Sequence, residues 1–163
     1  MLKIEKISKK DISLLCEKAN EVWREHYANL LSETQIDYML AKFQNPQSVE
    51  KQMQEGYEYY FLRVDGEVGG YIGIKNYSDY LYLSKFYILK DYRSKGYGRK
   101  AFSFLINLAQ KAGLKRIQLN VNKDNESSIK VYEKLGFIRY NSAVRDIGNG
   151  FVMDDYDYEY IIK

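Results

Sequence analysis

The sequence has very few of the residues that characterise disulfide-stabilised or metal-binding proteins. Of its 163 residues, one is cysteine, one is histidine and one is proline. A lone cysteine, Cys16, cannot form an internal disulfide, and no group of Cys and His has metal-ligand spacing, so we predict no metal site. No apolar run reaches the length of a signal peptide or a membrane span. These features predict a soluble, cytoplasmic protein without a membrane partner.

An excess of charge of one sign is also lacking. The 25 Lys and Arg residues face 22 Asp and Glu residues, which gives a net charge of +3. This balance is far from the excess typical of nucleic-acid-binding proteins, although it allows an anionic ligand. Tyrosine, by contrast, is abundant, with 17 residues. Such residues can contact a cationic ligand or simply favour strands.

Hydrophobic periodicity predicts one strand and three helices in the first third of the chain. The strand alternates apolar and polar residues, and each helix places its apolar residues on one face. Each helix also follows a capping residue: Asp11, then Ser32 in a capping box with Gln35, then Asn45 before Pro46. We predict a strand over 2–7 and helices over 11–27, 32–43 and 45–54.

The sequence beyond Gly56 is β-branched, aromatic and punctuated by glycine. Asp65-Gly66 suits a two-residue hairpin loop, and Gly113 and Gly136 are typical of helix ends. We predict strands over 59–64, 67–75, 80–89, 116–121, 137–145 and 151–162, and helices over 98–112 and 125–135. Because helices and strands intermingle, the sequence predicts a single α/β (α+β) domain over residues 1–163, built on a mixed sheet.

A loop rich in cations and glycine joins the predicted strand over 80–89 to the next helix. Helix N-termini carry unpaired amides and a positive dipole end, and glycine lets a phosphate approach the backbone. Arg93, Lys95 and Arg99 add formal charge, so the loop predicts an anion site. Ala101 replaces the last glycine of a dinucleotide fingerprint, and no phosphate loop of the G-x-x-x-x-G-K-[ST] type is present. The loop itself is Arg93-Ser94-Lys95-Gly96-Tyr97-Gly98.

This R-x-x-G-x-G loop resembles the coenzyme A pyrophosphate loop of the GCN5-related N-acetyltransferases (GNAT). A second motif on the later helix is similar to the family pattern N-x-x-[AS]-x-x-x-Y-x-K-x-G-F, with Asn125, Ser128, Tyr132, Lys134 and Gly136-Phe137 in the matching positions. Lys90 and Ser94 stand where proline and glycine are common, and neither removes a loop amide. The resemblance implies a mixed, mostly antiparallel twisted sheet of about six to seven strands flanked by helices.

The resemblance also implies an activity, the transfer of an acetyl group from acetyl-CoA to a primary amine of a small molecule such as a polyamine. Main-chain groups at Phe86 and Ile88 would bind the pantetheine arm, supported by Asn125, and the amides of Arg93 to Gly98 would bind the pyrophosphate. Tyr132 would protonate the departing thiolate, because a phenol with a pKa near 10 carries its proton at neutral pH. Tyr132 has an alternative interpretation as a packing aromatic.

The acceptor side is implied by position within the family. Trp23, His26, Tyr27 and Tyr38 belong to the segment that forms a wall of the acceptor site, and Tyr82 faces the same way as Phe86. These residues have an alternative interpretation as core aromatics. The strand with Tyr82 offers no carboxylate on that face, so no general base is predicted. Asp154 and Asp155 could attract an amine, but they must point to opposite faces of a strand.

Two other functions remain open. The protein could bind coenzyme A as a sensor without turnover, although Tyr132 favours an enzyme. It could instead bind nucleic acid, but its acidic C-terminal segment would repel phosphate. The cations available for that role are Lys85, Lys90, Arg93, Lys95, Arg99 and Lys100. The family resemblance also allows a homodimer.

Overall fold

The computed structural model describes residues 1–163, and it contains five α-helices and seven strands. In chain order they are β1 (Leu2–Lys6), α1 (Ile12–His26), α2 (Glu33–Phe43), α3 (Pro46–Gln54), β2 (Tyr57–Val64), β3 (Glu67–Asn76), β4 (Tyr80–Ile88), α4 (Tyr97–Lys111), β5 (Arg116–Asn122), α5 (Glu126–Leu135), β6 (Ile138–Gly148) and β7 (Phe151–Ile161).

The seven strands are hydrogen-bonded in the order β1-β2-β3-β4-β5-β7-β6. Strands β4 and β5 run parallel, and the pairs β1–β2, β2–β3, β5–β7 and β6–β7 are antiparallel. The predicted α/β fold with a mixed, mostly antiparallel sheet is therefore confirmed. None of the five helices combines the length and the apolar character that a membrane span requires.

The chain divides into two compact units. The first comprises Met1–Lys75 and Lys85–Phe102, and the second comprises Asn76–Ser84 and Ser103–Lys163. The prediction of a single domain over residues 1–163 stays a prediction.

The core of the first unit contains a buried network of polar side chains. Tyr71 lies fully buried in β3, where its hydroxyl accepts a hydrogen bond from Trp23 Nε1 at 2.7 Å and donates one to Gln44 Oε1 at 2.9 Å. Gln44 is itself buried, and its Nε2 donates to the hydroxyl of Tyr59 at 3.3 Å. Because each buried polar group finds a partner, the network joins α1 to the sheet without an unpaired donor.

The second unit has one apolar and one polar sheet face. Strand β5 alternates, so Ile117, Leu119 and Val121 are buried on one side. Register places Asn120 opposite Asp157 and Asn122 opposite Asp155 on the other side. We call this second side the polar face; it contains Tyr82, Asn120, Asn141, Arg145, Asp155 and Asp157.

Most predicted helix starts are confirmed. Ser32 Oγ accepts the Gln35 amide at 3.1 Å, and Asn45 Oδ1 accepts the Ser48 amide at 2.9 Å. The prediction that the Asp11 side chain caps the first helix is wrong. Its carboxylate instead accepts the Ser8 amide at 3.0 Å and closes the preceding 3-10 turn, Lys9–Asp11. A competing local donor, the Ser8 amide, therefore occupies the carboxylate of the predicted capping residue.

Candidate active site

The cation- and glycine-rich loop connects β4 to α4. Ser94 and Gly96 both adopt left-handed backbone conformations, with φ of 61° and 83°. Lys100 donates its amide to the Gly96 carbonyl at 3.2 Å, which is the first hydrogen bond of α4. The amides of residues 97–99 therefore precede every helical acceptor. An anion at this helix end would meet unpaired amides and the positive end of the dipole.

Arg93 anchors the loop through contacts with β4 and α1, all within the first unit. Its Nε donates to the Ile88 carbonyl at 2.8 Å, and its Nη2 lies 3.5 Å from Glu25 Oε1. The same Glu25 oxygen accepts the Lys90 amide at 2.5 Å. The Arg93 guanidinium thus fixes the end of β4, and Lys95, Arg99 and Lys100 are further exposed cations beside the helix start.

Two strand glycines that were not among the predicted site residues support the loop. A Cβ on Gly70 would lie 2.2 Å from the Tyr87 carbonyl oxygen, and one on Gly69 would lie 2.8 Å from the Tyr92 ring. The Gly69 carbonyl also accepts the Leu89 amide at 2.8 Å. Glycine inside a strand often marks a close backbone approach. The adjacent glycines Gly69 and Gly70 in a predicted strand were the sequence feature that could have indicated this close approach.

Three of the predicted acceptor residues lie together in the first unit, around a tyrosine that the prediction omitted. The ring centroid of Tyr87 lies 5.9 Å from that of Trp23, 5.3 Å from that of His26 and 6.1 Å from that of Tyr27. The hydroxyls of Tyr27 and Tyr87 are hydrogen-bonded at 2.9 Å. Burial, with a smaller effect from Arg93, lowers the pKa of His26 to about 4. His26 is therefore neutral at physiological pH.

The remaining predicted acceptor residues lie elsewhere. Tyr38 is half-buried on α2, where its hydroxyl accepts a hydrogen bond from Lys42 Nζ at 3.3 Å. Tyr82 belongs to the second unit, and its hydroxyl donates to Asn120 Oδ1 at 2.5 Å. Phe86 and Ile88 are both half-buried in β4. Tyr82 and the group of Trp23, His26 and Tyr27 therefore belong to different units.

Helix α5 carries Asn125 and Tyr132 in the second unit. Asn125 is the N-cap residue of this helix, 5% exposed, and its Oδ1 accepts the Ser128 amide at 3.2 Å. Tyr132 is half-buried, and its ring meets Phe137 edge-on with centroids 5.6 Å apart. Gly136, with φ of 107°, ends the helix as predicted. The two predicted site residues therefore share one helix, seven positions apart.

The polar face of the second unit contains two buried carboxylates. Asp157 accepts hydrogen bonds from Asn120 Nδ2 at 2.6 Å, Asn141 Nδ2 at 2.8 Å and Arg145 Nη2 at 2.8 Å. Burial alone would raise the pKa of Asp157, but these bonds outweigh it and hold the pKa below its ordinary value. Asp157 is thus an ionised, fully bonded group. No sequence pattern had marked Asp157 as a site residue.

Asp155 is as deeply buried as Asp157 but much less well bonded. Its Oδ2 lies 3.8 Å from Arg145 Nη1, and its Oδ1 has no hydrogen-bond partner. Burial raises the pKa of Asp155 to about 6, although Arg145 opposes the shift. Asp154 is exposed and pairs with Lys123 at 2.8 Å. The prediction that adjacent Asp154 and Asp155 point to opposite faces is confirmed.

Comparison with known proteins identifies a family for most of the chain. A model described as the acetyltransferase (GNAT) family matches residues 17–137, which is more than half of the chain. This range includes the loop of Arg93 to Gly98 and the α5 residues Asn125 and Tyr132.

Individual relatives agree with the family match. A spermidine N(1)-acetyltransferase of Thermoplasma acidophilum is 25% identical over 159 residues, covering 94% of this chain and 96% of that protein. The N-alpha-acetyltransferase 30 of Schizosaccharomyces pombe is 33% identical over 69 residues, which span 42% of this chain and only 46% of that protein. The crystal structure of a PaiA N-acetyltransferase from Thermoplasma acidophilum in complex with coenzyme A has a TM-score of 0.81, with 22% identity and 99% of each chain covered. At that identity the structural likeness shows the fold.

Proposed function

The chain belongs to the acetyltransferase (GNAT) family and is an acetyl-CoA-dependent acyltransferase; we propose that its acceptor is a primary amine of a small molecule. Polyamines are the first class to test, because a relative that aligns with 94% of the chain is named a spermidine N(1)-acetyltransferase. The similarity to this relative over nearly the whole chain is the observation that carries the acceptor proposal. The loop before α4, where left-handed Ser94 and Gly96 lead into a helix start with unpaired amides, supports the cofactor half of the reaction.

The loop fits the pyrophosphate of coenzyme A in charge and in hydrogen bonding. The amides from Ser94 to Gly98 are donors of the kind that phosphate oxygens accept at helix starts, whereas the predicted Arg93 amide already donates to the Lys90 carbonyl at 3.2 Å. Lys95 and Arg99 are exposed cations beside them. Main-chain groups of β4 near Phe86 and Ile88 are proposed to hold the pantetheine arm, and Asn125 is proposed as a cofactor contact within the second unit. The coenzyme A in the Thermoplasma PaiA structure is consistent with this assignment.

The chemistry needs an attacking amine without its proton and a proton for the departing sulfur. Acetyl-CoA, when bound, supplies the acetyl group as a thioester. We assign Tyr132 to hold the proton that the sulfur receives, which is a general-acid role. In the Tyr132→Phe variant the ring contact with Phe137 is retained, so the protein should fold normally.

The matched control is Tyr57→Phe, which removes a hydroxyl from a half-buried tyrosine of β2 whose ring lies beneath Lys75. Thiol release should show kcat of Tyr132→Phe lowered by about a hundredfold, since general acid catalysis typically contributes at least that much. Coenzyme A affinity should stay within about twofold of wild type, because the loop contacts are intact. A kcat equal to that of Tyr57→Phe removes Tyr132 from this role.

Binding and turnover experiments separate the enzyme from the two other functions. Acetyl-CoA should raise the melting temperature, and random-sequence RNA should not. An amine panel assayed for thiol release with acetyl-CoA then identifies the acceptor. Acetyl-CoA binding without thiol release from any amine would indicate a sensor, and stabilisation by RNA alone would indicate a nucleic-acid-binding protein.

A further inference from the structure

Asp155 Oδ1 is a buried hydrogen-bond acceptor for which the protein provides no donor. The Asp155 side chain is 7% exposed, and Oδ1 has no hydrogen-bond partner. Buried polar atoms in folded proteins are almost always paired, because an unpaired one loses its hydration without compensation. The second carboxylate oxygen has only the ion pair with Arg145 at 3.8 Å, which exceeds hydrogen-bond length. Asp155 Oδ1 therefore lacks a hydrogen-bond donor, and a bound ligand could provide one.

The charges around Asp155 indicate that this ligand is a cation. Arg145 is the only cation that contacts it, and the same guanidinium donates to Asp157 at 2.8 Å. Asp157 already accepts three hydrogen bonds and is fixed in place. Lys123 pairs with Asp154 on the opposite face of β7. Two carboxylates therefore share one guanidinium, which leaves one negative charge without compensation.

The same imbalance recurs further along the strands of the second unit. Arg116 pairs with Asp79 at 2.6 Å and with Glu159 at 3.6 Å, so two carboxylates again share one guanidinium. Glu159 lies on the same face of β7 as Asp155, four residues away, which corresponds to roughly 13 Å along an extended strand. Two separated negative charges on one sheet face match a ligand with two separated positive charges.

We propose that Asp155 binds an ammonium group of the acetyl acceptor, and that the acceptor is therefore a diamine or polyamine that carries a second ammonium group. The inference rests on the proposed transfer to an amine and specifies the acceptor. An ammonium group suits a single unpaired oxygen, because it needs only one of its N–H donors there. Calcium and magnesium require six or more ligands, and Asp157 is already committed to three hydrogen bonds.

The ionisation of Asp155 agrees with such a role. Burial raises the pKa of Asp155 to about 6. The neighbouring carboxylates of Asp157 and Asp154 also raise this pKa, whereas the cations Arg145 and Lys123 lower it. The carboxyl is therefore mostly ionised at pH 7.5 and can receive a cation. The Arg145 side chain is 42% exposed and makes no hydrogen bond to Asp155, so the carboxylate keeps its capacity to accept one from an ammonium group.

The test compares Asp155→Asn with Asp154→Asn, the adjacent carboxylate on the opposite face. Binding of cadaverine, spermidine and pentylamine is measured by calorimetry, and thiol release is measured with acetyl-CoA. Cadaverine and pentylamine have the same carbon chain and differ by the second ammonium group. Asp155→Asn should weaken cadaverine and spermidine binding and raise their KM by about tenfold or more, the usual effect of losing a charged hydrogen bond. Its kcat should stay within about twofold.

Asp154→Asn should bind all three amines like wild type. Thiol release from pentylamine should not distinguish the three proteins, because its single nitrogen is the one that accepts the acetyl group. Equal cadaverine affinity in Asp155→Asn and wild type would overturn the proposal, as would a wild type that binds neither cadaverine nor spermidine. A lower kcat with unchanged KM would overturn it as well, since it would make Asp155 a proton acceptor. The proposed function fails separately, if acetyl-CoA neither raises the melting temperature nor releases thiol with any amine.

A measurement on the wild type covers the case in which Asp155→Asn does not fold. Carbon NMR of the aspartate side-chain carboxyls follows the Asp155 titration near pH 6. A bound ammonium group favours the ionised form, so saturating spermidine should lower the titration midpoint by about one pH unit or more. An unchanged midpoint at saturating spermidine refutes the contact.

Discussion

Replacing Gly70 by alanine should destabilise the protein through one backbone contact. The added Cβ would lie 2.2 Å from the Tyr87 carbonyl oxygen and 3.1 Å from Ile88 Cα. Both atoms belong to the backbone, so no side-chain rotation can relieve the overlap, and β3 and β4 must separate locally. Overpacking of this kind typically costs about 1–3 kcal/mol. For a chain of this size, that corresponds to a fall in melting temperature of roughly 3–10 °C.

The control for this experiment is Gly98→Ala. A Cβ at Gly98 would lie 3.6 Å from Ile88 Cδ1, an ordinary contact, and Gly98 lies inside α4, where alanine is the better helix former. Thermal unfolding followed by circular dichroism should show Gly70→Ala melting below wild type and Gly98→Ala melting at or above it. If Gly70→Ala melts at the wild-type temperature, the backbones of β3 and β4 do not approach each other as closely as described.

Three further outcomes follow from the described contacts. Gly98→Ala should raise the KM for acetyl-CoA by about tenfold or more while leaving the fold intact, because a methyl group occupies space that the pyrophosphate needs. An unchanged KM in thiol-release assays would show that the pyrophosphate does not bind at this loop. Tyr71→Phe should lower the free energy of unfolding in urea by about 1–3 kcal/mol, since Trp23 Nε1 and Gln44 Oε1 both lose their buried partner; a smaller loss would show that water replaces the hydroxyl. Between about pH 4 and pH 6 wild type should lose roughly 3 kcal/mol of folding stability relative to Asp155→Asn. A carboxyl whose pKa is raised in the folded state stabilises the fold while it is protonated, and this stabilisation is lost as pH rises through the folded-state pKa. Parallel stability curves for the two proteins would contradict this sign.

Features that depend on neighbours in the sequence were predictable. Ser32, Asn45 and Gly136 act on amides or backbone angles within a few residues of themselves, and the structure confirms each. Asp11 was mispredicted at the same range, because Ser8 competes for its carboxylate. A sequence pattern identifies a capping residue but does not decide between two local donors.

Features that depend on distant partners were not predictable. The carboxylate of Asp157 is held by side chains from β5 and β6, which no local pattern joins to β7. Asp155 lacks a donor only because those neighbours point elsewhere. The need for glycine at position 70 likewise depends on the Tyr87 carbonyl of another strand. The roles of Tyr132 and Asn125 came from the family resemblance and stay predictions.

The contacts of Arg93 and Glu25 have a consequence for the kinetics of cofactor capture. Ser94 adopts a left-handed conformation that costs a non-glycine residue roughly 1–2 kcal/mol. The Arg93 bonds to the Ile88 carbonyl and to Glu25 hold the neighbouring backbone in that arrangement. The ordering entropy of the loop is therefore lost during folding and not at the encounter with acetyl-CoA. A receptor preorganised in this way associates at a rate limited by diffusion and orientation.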